Sequence, residues 1–399
     1  MEKFSVGVIG GGASGIVAAI SAKRRGGSVV ICEKMPRLGK KILVTGGGRC
    51  NLLNENLDES FYTSTQVGLV KAVFSRFGKI EIQNFFKELG LELYSEDNRI
   101  FPVTNQASSV AKVLELEVKR LSIPVELNFE VTQITSSEKF FILLSKENKK
   151  IECSSLILAG GGKAYPALGS DGSCFQFARQ FGHHFIEPVP SAVPLVVKDR
   201  WCHLLQGQKI FVQAKSIIDG KVIEESSGEA LFTEHGLSGT AILDVSESIS
   251  IATNRINKND IQVAVDMIPF LTRVQLKQEI SRRIKKGLGA EDLLAGILPN
   301  KFGPVMKDFF KEQAQNERMD VLANILKDKR FKVIGTRGWN EAEFTCGGVD
   351  AREVKKENLE SKLKKGLYFA GEILDVQGRR GGYNLAWAWA SGFVAGLTE

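Results

Sequence analysis

The glycines near the N terminus have the types and spacing needed to bind a dinucleotide. Gly10, Gly12 and Gly15 follow the apolar residues 4–9 and precede residues 16–22, whose apolar side chains recur at helical spacing. In such a turn the first glycine lets the chain turn sharply, the second lets the backbone approach a pyrophosphate, and the third lets the helix pack on the strand. The phosphates would lie at the positive end of that helix.

An acidic residue supports this interpretation. Residues 28–32 form a second apolar segment, and Glu33 ends it. A carboxylate about 20 residues beyond the glycines can accept hydrogen bonds from the hydroxyls of an adenosine ribose. An ordinary βαβ unit with a glycine-rich turn is the alternative. The strand, the helix and the acid together favour dinucleotide binding.

Two further glycine-rich segments could approach a cofactor. The first has three glycines at residues 46–48, followed by Arg49, Cys50 and Asn51. Its backbone could lie against a flat ligand, although a flexible surface loop is the alternative. In the second, the apolar residues 156–158 precede Ala159 and three more glycines, as in a parallel strand that ends at a cofactor. No strand, GxGxxG turn and helix recur after residue 15, so we expect no separate Rossmann domain for a nicotinamide coenzyme.

Composition sets the broad class of protein. The chain has 399 residues, of which 43% are hydrophobic and 25% are charged, as in a soluble globular protein. No apolar run is long enough to span a bilayer, and the first strand begins at Phe4, so we expect no signal peptide and a cytoplasmic location. The six cysteines include no CxxC pair, which argues against a zinc site and against a dithiol flavoenzyme; we expect no metal.

The formal net charge of +7 does not by itself indicate a nucleic-acid partner. Acidic and basic residues alternate along most of the chain. The densest basic cluster, residues 282–286, follows a helical pattern and is typical of a solvated helix face. Aromatic residues are not interleaved with these charges, so nucleic acid is not the favoured partner.

The elements that must position these residues indicate an α/β fold: a Rossmann-like domain interrupted by an inserted domain with an antiparallel β unit and a helical segment. The FAD-type domain would comprise residues 1–190 and 335–399, and a substrate or lid domain would comprise residues 191–334, with its β unit at about 191–270 and its helices at about 271–330. Two helices are predicted within residues 66–94, a third at 107–121 and a last one at 384–397. Strands are predicted at 125–131, 140–144 and 151–158.

Taken together, the motifs resemble the BaiN/RdsA-type NAD(P)/FAD-dependent oxidoreductases, which are flavoproteins with a glutathione-reductase-like FAD domain. The resemblance rests on the GxGxxG turn with Glu33-Lys34, the loop at residues 46–51, and the terminal Gly371-Glu372 and Gly381–Leu385 segments. It extends over nearly the whole chain, including residues 168–172 and 228–233. The chain departs from the family pattern in four places: His235 is displaced by one position, Thr240 stands where the family has a proline, Gln377 replaces an aspartate, and Arg379 and Arg380 add two charges.

The resemblance implies non-covalent FAD and a transient NAD(P)H donor. It implies contacts with the pyrophosphate, the ribose, the adenine, the ribitol and the flavin. The implied cofactor-binding residues are Gly10, Gly12, Ala13, Ser14, Gly15, Glu33, Lys34, Lys40, Lys41, Gly47, Gly48, Cys50, Asn51, Val131, Ala159, Gly160, Gly371, Glu372, Asp375, Gly382, Tyr383, Asn384 and Leu385.

The expected activity is transfer of hydride from NAD(P)H through flavin N5 to an activated C=C or C=O bond of a hydrophobic small molecule. Tyr383 and His235 are candidate proton donors, and Cys50 is a candidate redox participant. Two alternatives remain open: a flavoprotein that modifies or binds a nucleic acid such as tRNA, and a redox-sensing flavoprotein without a metabolic substrate.

Overall fold

The computed structural model describes residues 1–312 and 318–398. They form two compact units. The discontinuous unit comprises Met1–Pro188 and the C-terminal residues from Phe344 onward, and the barrel unit comprises Val189–Glu343.

The described chain contains 20 strands and 11 α-helices. The strands are β1 (Glu2–Ile9), β2 (Val29–Glu33), β3 (Leu53–Asn54), β4 (Tyr62–Ser64), β5 (Leu93–Glu96), β6 (Arg99–Pro102), β7 (Val125–Leu127), β8 (Val131–Ser136), β9 (Phe141–Ser145), β10 (Lys150–Leu158), β11 (Phe185–Ser191), β12 (Leu195–Val197), β13 (Lys209–Ile218), β14 (Lys221–Thr233), β15 (Gly236–Ser238), β16 (Ile261–Asp266), β17 (Lys329–Thr336), β18 (Phe344–Val349), β19 (Leu367–Phe369) and β20 (Val376–Gly378). The helices are α1 (Ala13–Arg24), α2 (Leu69–Phe74), α3 (Lys79–Glu88), α4 (Ala107–Arg120), α5 (Phe175–Gln180), α6 (Arg200–Leu204), α7 (Thr240–Ser250), α8 (Arg273–Lys285), α9 (Phe302–Glu312), α10 (Arg318–Lys327) and α11 (Tyr383–Ala395).

The main sheet of the discontinuous unit carries the dinucleotide turn. Its strand order is β7-β2-β1-β10-β9-β8, with β19 also paired to β10. The central pairs are parallel, and Val8 lies opposite both Ile31 and Ile157. These side chains are fully buried, as expected for parallel strands covered on both faces. Because β1 and β10 are parallel, their carboxyl ends lie at the same edge of the sheet. The predicted Rossmann-like fold class is confirmed.

Close packing of α1 on α11 places the two termini of the chain together. A Cβ on Gly392 would overlap the Ser14 carbonyl oxygen, and one on Gly396 would overlap that of Ala18. Only glycine permits this helix approach. Trp387 and Trp389 of α11 are fully buried in the same core. The C-terminal helix therefore holds the start of α1 in place.

The barrel unit contains a closed antiparallel barrel with the order β12-β15-β14-β13-β16-β17. Its core includes the buried rings of Phe232, Phe302 and Phe331. This confirms an antiparallel β unit within the insertion. The last strand of the barrel, β17, follows the helices in sequence and closes the barrel by pairing with both β16 and β12.

Several predicted elements differ from the observed ones. The strand predicted at residues 125–131 is divided between β7 and β8, and α7 lies within a region predicted as short strands. The buried residues of α7 include Ala241, Ile242, Val245 and Ile249, which is the spacing of a helix face. Residues 313–317 of the predicted helical segment lie outside the described residues.

Candidate functional site

The glycine turn after β1 is closely packed at two of its glycines and open at the third. Gly10 has a φ of +105°, and a Cβ there would lie 2.5 Å from the Ala159 carbonyl oxygen at the end of β10. A Cβ on Gly15 would overlap the Gly10 carbonyl oxygen. Gly12 differs, because a Cβ there would meet nothing within 4 Å. Two glycines are thus required by the protein itself, whereas Gly12 faces open space in which a pyrophosphate would fit.

The start of α1 is free to bind an anion. Gly12 is the N-cap and has no side chain to accept from the first amide groups, and the first turn contains no acidic residue. The amides of Ala13, Ser14 and Gly15 precede the first residue that can donate within the helix, Ile16, which bonds to Gly12 at 3.0 Å. These groups and the positive helix end fit a phosphate.

Glu33 lies beside the same turn. One carboxylate oxygen accepts from the Gly11 amide at 2.5 Å, and the other accepts from the Met35 amide at 2.7 Å. Burial raises the pKa of Glu33, and the two amide donors oppose that rise. The carboxylate therefore fixes the turn, and each oxygen retains a second lone pair for a ribose hydroxyl.

The C-terminal glycine turn lies against the dinucleotide turn. Gly371 has a φ of +79°, and a Cβ there would lie 2.5 Å from the Ser14 Oγ. Its amide donates to the Ser391 Oγ at 2.9 Å, and its carbonyl accepts from the Trp387 indole at 3.2 Å. Residues more than 350 positions apart in sequence thus form one site.

The three lysines among the implied cofactor-binding residues each have a partner in the discontinuous unit. Lys34 forms an ion pair with Asp171 at 2.6 Å, and Lys40 donates to the Ala167 carbonyl at 3.2 Å. Lys41 forms an ion pair with Glu372 at 2.9 Å. The other oxygen of Glu372 accepts from the Thr345 amide at 2.6 Å. These contacts join the chain after β2 to two other loops around the site.

The loop at residues 46–51 is tightly folded. Gly46, Gly47 and Gly48 have φ of +56°, +65° and +88°, and Cβ atoms on Gly47 and Gly48 would meet nothing within 4 Å. With its amide oriented to satisfy both neighbours, Asn51 accepts from the Gly382 amide at 3.1 Å and donates to the Leu53 carbonyl at 3.1 Å. The loop is thereby bound to the start of α11.

Cys50 lies in this loop but is fully buried. Burial raises the pKa of its thiol to about 12, and the Thr45 side chain opposes this only in part. A thiol in this state is protonated near neutral pH and is a poor nucleophile. The environment of Cys50 is therefore unfavourable to thiolate redox chemistry. All six cysteines are buried and none forms a disulfide.

Tyr383 begins α11 and faces an aromatic group. Its ring stacks on Phe61 at 4.8 Å and contacts Tyr62 edge-on at 5.8 Å. The Tyr62 hydroxyl donates to the Tyr383 carbonyl at 2.7 Å, whereas the Tyr383 hydroxyl has no hydrogen-bond partner within residues 1–312 and 318–398. Burial raises the pKa of Tyr383, and the nearby Arg379 opposes the rise. Its hydroxyl therefore keeps its proton at neutral pH. Its role as a proton donor stays a prediction.

The other predicted residues have varied surroundings. Val131 pairs with Ser145 in the main sheet, and the Asp375 amide donates to the Val349 carbonyl at 2.8 Å. Asn384 bonds through its side chain to both backbone groups of Gly378, at 2.9 and 2.7 Å, while Leu385 packs against the core. His235 belongs to the barrel unit, where its half-exposed ring contacts Glu234 at 2.9 Å. Its role as a proton donor stays a prediction.

Sequence reasoning missed two residues of the site. The Ser170 hydroxyl is buried without a hydrogen-bond partner in the described residues, and it lies 3.0 Å from the position of a Cβ on Gly161. Asn54 donates to the Gly381 carbonyl at 2.8 Å. A buried hydroxyl without a partner beside a glycine-rich strand end fits a polar ligand. Ser170 lies in the segment 168–172 that contributes to the family resemblance, but no local sequence signal gives its hydroxyl a role in the site.

The whole described site belongs to a known type of domain. The HI0933-like protein Rossmann domain matches residues 4–398. The chain belongs to the HI0933-like family. This family comprises FAD-binding oxidoreductases, so the resemblance found in the sequence is confirmed.

Relatives of this HI0933-like chain cover nearly its whole length. It is 36% identical to a 3-dehydro-bile acid delta(4,6)-reductase from Clostridium scindens over 402 residues, covering 98% of each chain. It is also 28% identical to a ribosomal RNA dihydrouridine synthase from Haemophilus influenzae, covering 100% of this chain and 99% of the relative.

Solved structures share the fold at low sequence identity. A 3-ketosteroid delta1-dehydrogenase from Sterolibacterium denitrificans is 12% identical, with a TM-score of 0.52 and 99% coverage of both chains. A 3-ketosteroid-delta4-(5alpha)-dehydrogenase from Rhodococcus jostii is 14% identical, with a TM-score of 0.50 and coverage of 100% of this chain and 96% of the other. Within the described residues, every helix is too short or too polar to cross a bilayer. The cytoplasmic location stays a prediction.

Proposed function

We propose that this HI0933-like protein reduces a C=C bond conjugated with a carbonyl group in a hydrophobic small molecule, with NAD(P)H as the electron donor. The observation that carries the proposal is the protonated, unpartnered hydroxyl of Tyr383 at the start of α11. FAD, when bound, supplies the hydride, and the tyrosine supplies the proton that completes the reduction.

The residues that would hold FAD are those of the two facing turns. The amides at the start of α1 would bind the pyrophosphate, and Glu33 would bind the ribose. The Ser14 hydroxyl donates to the Ala370 carbonyl and so joins these turns, and the Gly371 amide donates to the Ser391 hydroxyl of α11. The start of α11 presents a positive helix end without a side-chain cap, which would stabilise negative charge on the ring system or on the acceptor oxygen.

The named relatives suggest the acceptor chemistry. A 3-dehydro-bile acid delta(4,6)-reductase acts on double bonds conjugated with a 3-oxo group, and dihydrouridine forms when a double bond conjugated with a uracil carbonyl is reduced. Each double bond that is reduced takes up one hydride and one proton. We favour the small molecule because the relative with higher identity carries that activity.

RNA is the second candidate, and the two ribosomal RNA dihydrouridine synthases support it. Charge gives it little further support. Residues 189–343 contain 22 Lys and Arg against 20 Asp and Glu. RNA-binding proteins commonly carry a basic face, because phosphate neutralisation supplies much of the affinity.

The proposal is tested by anaerobic spectroscopy of the purified FAD-loaded protein. NADH or NADPH should bleach the flavin absorbance, and a 3-oxo-Δ4 steroid should then restore it and leave a product heavier by two hydrogens. Tyr383→Phe should slow the second step by about 100-fold, the lower range for a general acid, while the first step changes little. Failure of both coenzymes to reduce the flavin would refute NAD(P)H as the electron donor. If the reduced protein converted uridine in RNA but no small-molecule enone, the proposed small-molecule acceptor would be refuted.

A further inference from the structure

A buried histidine lies between a carboxylate and a hydroxyl in the discontinuous unit. His183 follows α5, and its side chain has no exposed surface. Its Nδ1 atom lies 2.9 Å from a carboxylate oxygen of Glu353, and its Nε2 atom lies 2.8 Å from the Ser361 Oγ. The order of these groups is that of a serine–histidine–glutamate triad, but Ser361 is only 2% exposed. A substrate cannot reach this hydroxyl, so the arrangement does not fit nucleophilic catalysis.

The neighbours of Ser361 fix the protonation state of His183. A serine hydroxyl has one proton to donate and two lone pairs that accept. Both lone pairs are used, because the Ser361 Oγ accepts from the amides of Leu363 at 3.0 Å and Lys364 at 2.9 Å. The hydroxyl proton is therefore donated to the His183 Nε2 atom, which must be unprotonated. The ring proton then lies on Nδ1 and is donated to Glu353. The structure thus requires a neutral imidazole.

The charged groups around this imidazole have opposing effects on its protonation. Burial lowers the pKa of His183, the Glu353 carboxylate opposes this, and His184 adds to it. The exposed His184 ring contacts the other Glu353 oxygen at 2.6 Å. Other charged groups on the same segments have partners of their own, in the ion pairs Asp350–Arg352 and Glu360–Lys355 and in the bonds from Lys362 and Lys364 to the carbonyls of Arg352 and Ser137. A proton added in acid would therefore enter a buried ring whose Nε2 atom faces no free acceptor.

The same histidine contacts the strand that leads into the C-terminal glycine turn. Its ring meets the Phe369 ring edge-on at 4.8 Å, and Phe369 ends β19. The Ser361 amide donates to the carbonyl of the first residue of β19 at 2.7 Å. Ala370 follows this strand, and its carbonyl accepts from the Ser14 Oγ of the dinucleotide turn at 3.2 Å. Loss of the bond between His183 and Ser361 would therefore disturb the segment that joins the two turns of the FAD site.

We propose that His183 is a pH-dependent switch on FAD binding: the neutral imidazole holds the segment before Gly371 in place, and its protonation loosens that segment and weakens the binding of FAD. A proton on Nε2 would face a hydroxyl whose lone pairs are already occupied, so the turn at Ser361 must open or the ring must leave Phe369. The switch does not depend on the identity of the electron donor or of the acceptor.

The experiment measures the coupling between the proton and FAD in both directions. The four histidines are labelled with ¹⁵N, and the tautomer and the pKa of His183 are measured by NMR in the apoprotein and in the FAD-loaded protein. The neutral ring should carry its proton on Nδ1. Its pKa should be lower with FAD bound by about 0.5 to 1, because protonation and FAD must weaken each other by the same factor of about threefold to tenfold. The Kd for FAD, followed by flavin fluorescence, should rise by that factor as the pH falls from about 7.5 to about 5.

Three variants locate the effect. His183→Asn keeps an amide donor toward Glu353 but cannot be protonated, so the rise in Kd at low pH should be lost, and its spectrum identifies the His183 signals. His184→Asn is the matched control, because it removes the exposed histidine that contacts the same carboxylate, and it should keep the wild-type dependence on pH. Ser361→Ala removes the hydroxyl that requires a neutral ring, so the pKa of His183 should rise.

Three results would overturn the inference. A neutral His183 ring with its proton on Nε2, or a charged ring at neutral pH, would contradict the hydrogen-bond assignment. Equal pKa values of His183 in the apoprotein and the FAD-loaded protein would show that this histidine is not coupled to FAD. A wild-type rise in Kd in His183→Asn would assign the effect to another group. If His183→Asn does not fold, the NMR titration of the wild-type protein still decides the first two outcomes.

Discussion

Substitution of Gly12 by alanine should separate FAD binding from folding. Gly12 has an extended backbone, with φ of −83° and ψ of −168°, and a methyl group there would meet nothing within 4 Å. Alanine at a compatible glycine position stabilises the folded state by about 0.4–1 kcal/mol, because it restricts the unfolded chain. The apoprotein should therefore fold normally and unfold at a slightly higher urea concentration.

The same methyl group should weaken FAD binding. It would occupy the space through which the backbone approaches the pyrophosphate. Loss of one charge-assisted hydrogen bond costs about 1.5–3 kcal/mol, which corresponds to a rise in Kd of about tenfold to 150-fold. The Kd is measured by titrating apoprotein with FAD and following flavin fluorescence, and the free energy of unfolding is measured by urea denaturation of the apoprotein.

A matched control exists in the barrel unit. Gly289 is also an N-cap with an extended backbone, with φ of −72° and ψ of 165°, and a methyl group there would also meet nothing within 4 Å. Gly289→Ala should leave FAD affinity unchanged. Gly15→Ala should instead impair folding, because its Cβ overlaps the Gly10 carbonyl oxygen. Wild-type FAD affinity in Gly12→Ala would show that the phosphates bind elsewhere and would refute the assignment of the turn.

Three further variants test other contacts. Glu33→Ala should release FAD on dialysis, with an FAD affinity lower by about tenfold to 100-fold. It should also destabilise the apoprotein, because the Gly11 and Met35 amides lose their acceptor. Full FAD retention by the variant would contradict the assignment of Glu33 to the ribose. Gly392→Ala should lower the free energy of unfolding by about 1–3 kcal/mol, because its Cβ overlaps the Ser14 backbone, and an unchanged urea midpoint would contradict this packing. Arg352 lowers the pKa of Asp350 from 3.8 to about 2, so the ionised Asp350 stabilises the fold above pH 3.8 and this stabilisation is lost as the pH falls toward 2. Asp350→Asn should therefore reduce the loss of unfolding free energy between about pH 4 and pH 2. An identical dependence of unfolding free energy on pH in the variant and the wild type would exclude this contribution of Asp350.

Local sequence patterns predicted the elements whose structure depends mainly on neighbouring residues. The apolar strand, the glycine turn and the amphipathic helix at residues 4–22 correspond to β1 and α1. The third predicted helix, at residues 107–121, corresponds to α4. The basic cluster at residues 282–286 belongs to the end of α8, where Glu279 pairs with Arg282 and Arg283, as expected for a solvated helix face.

Predictions were less accurate where non-local packing decides the structure. Helix α7 was not predicted, because β-rich sequence surrounds it and its short apolar stripe does not by itself exclude strands. The final barrel strand, β17, follows a helical segment in sequence, and its position in the barrel depends on pairing with β12 and β16. The burial of Cys50 is likewise a property of the folded loop that its sequence position does not reveal, and its contact with a cofactor stays a prediction.

By itself the sequence determined the dinucleotide turn, the acid that follows it and the family, because strand, turn and helix signals are encoded within about 30 neighbouring residues. The tertiary structure alone decided which distant groups meet. It placed Gly371 against Ser14, joined Asn51 to Gly382, and brought Arg99 beside Tyr383. These contacts arise from the packing of α11 on α1 and from strand register, and no local pattern records them, because each depends on which surfaces the whole fold buries together.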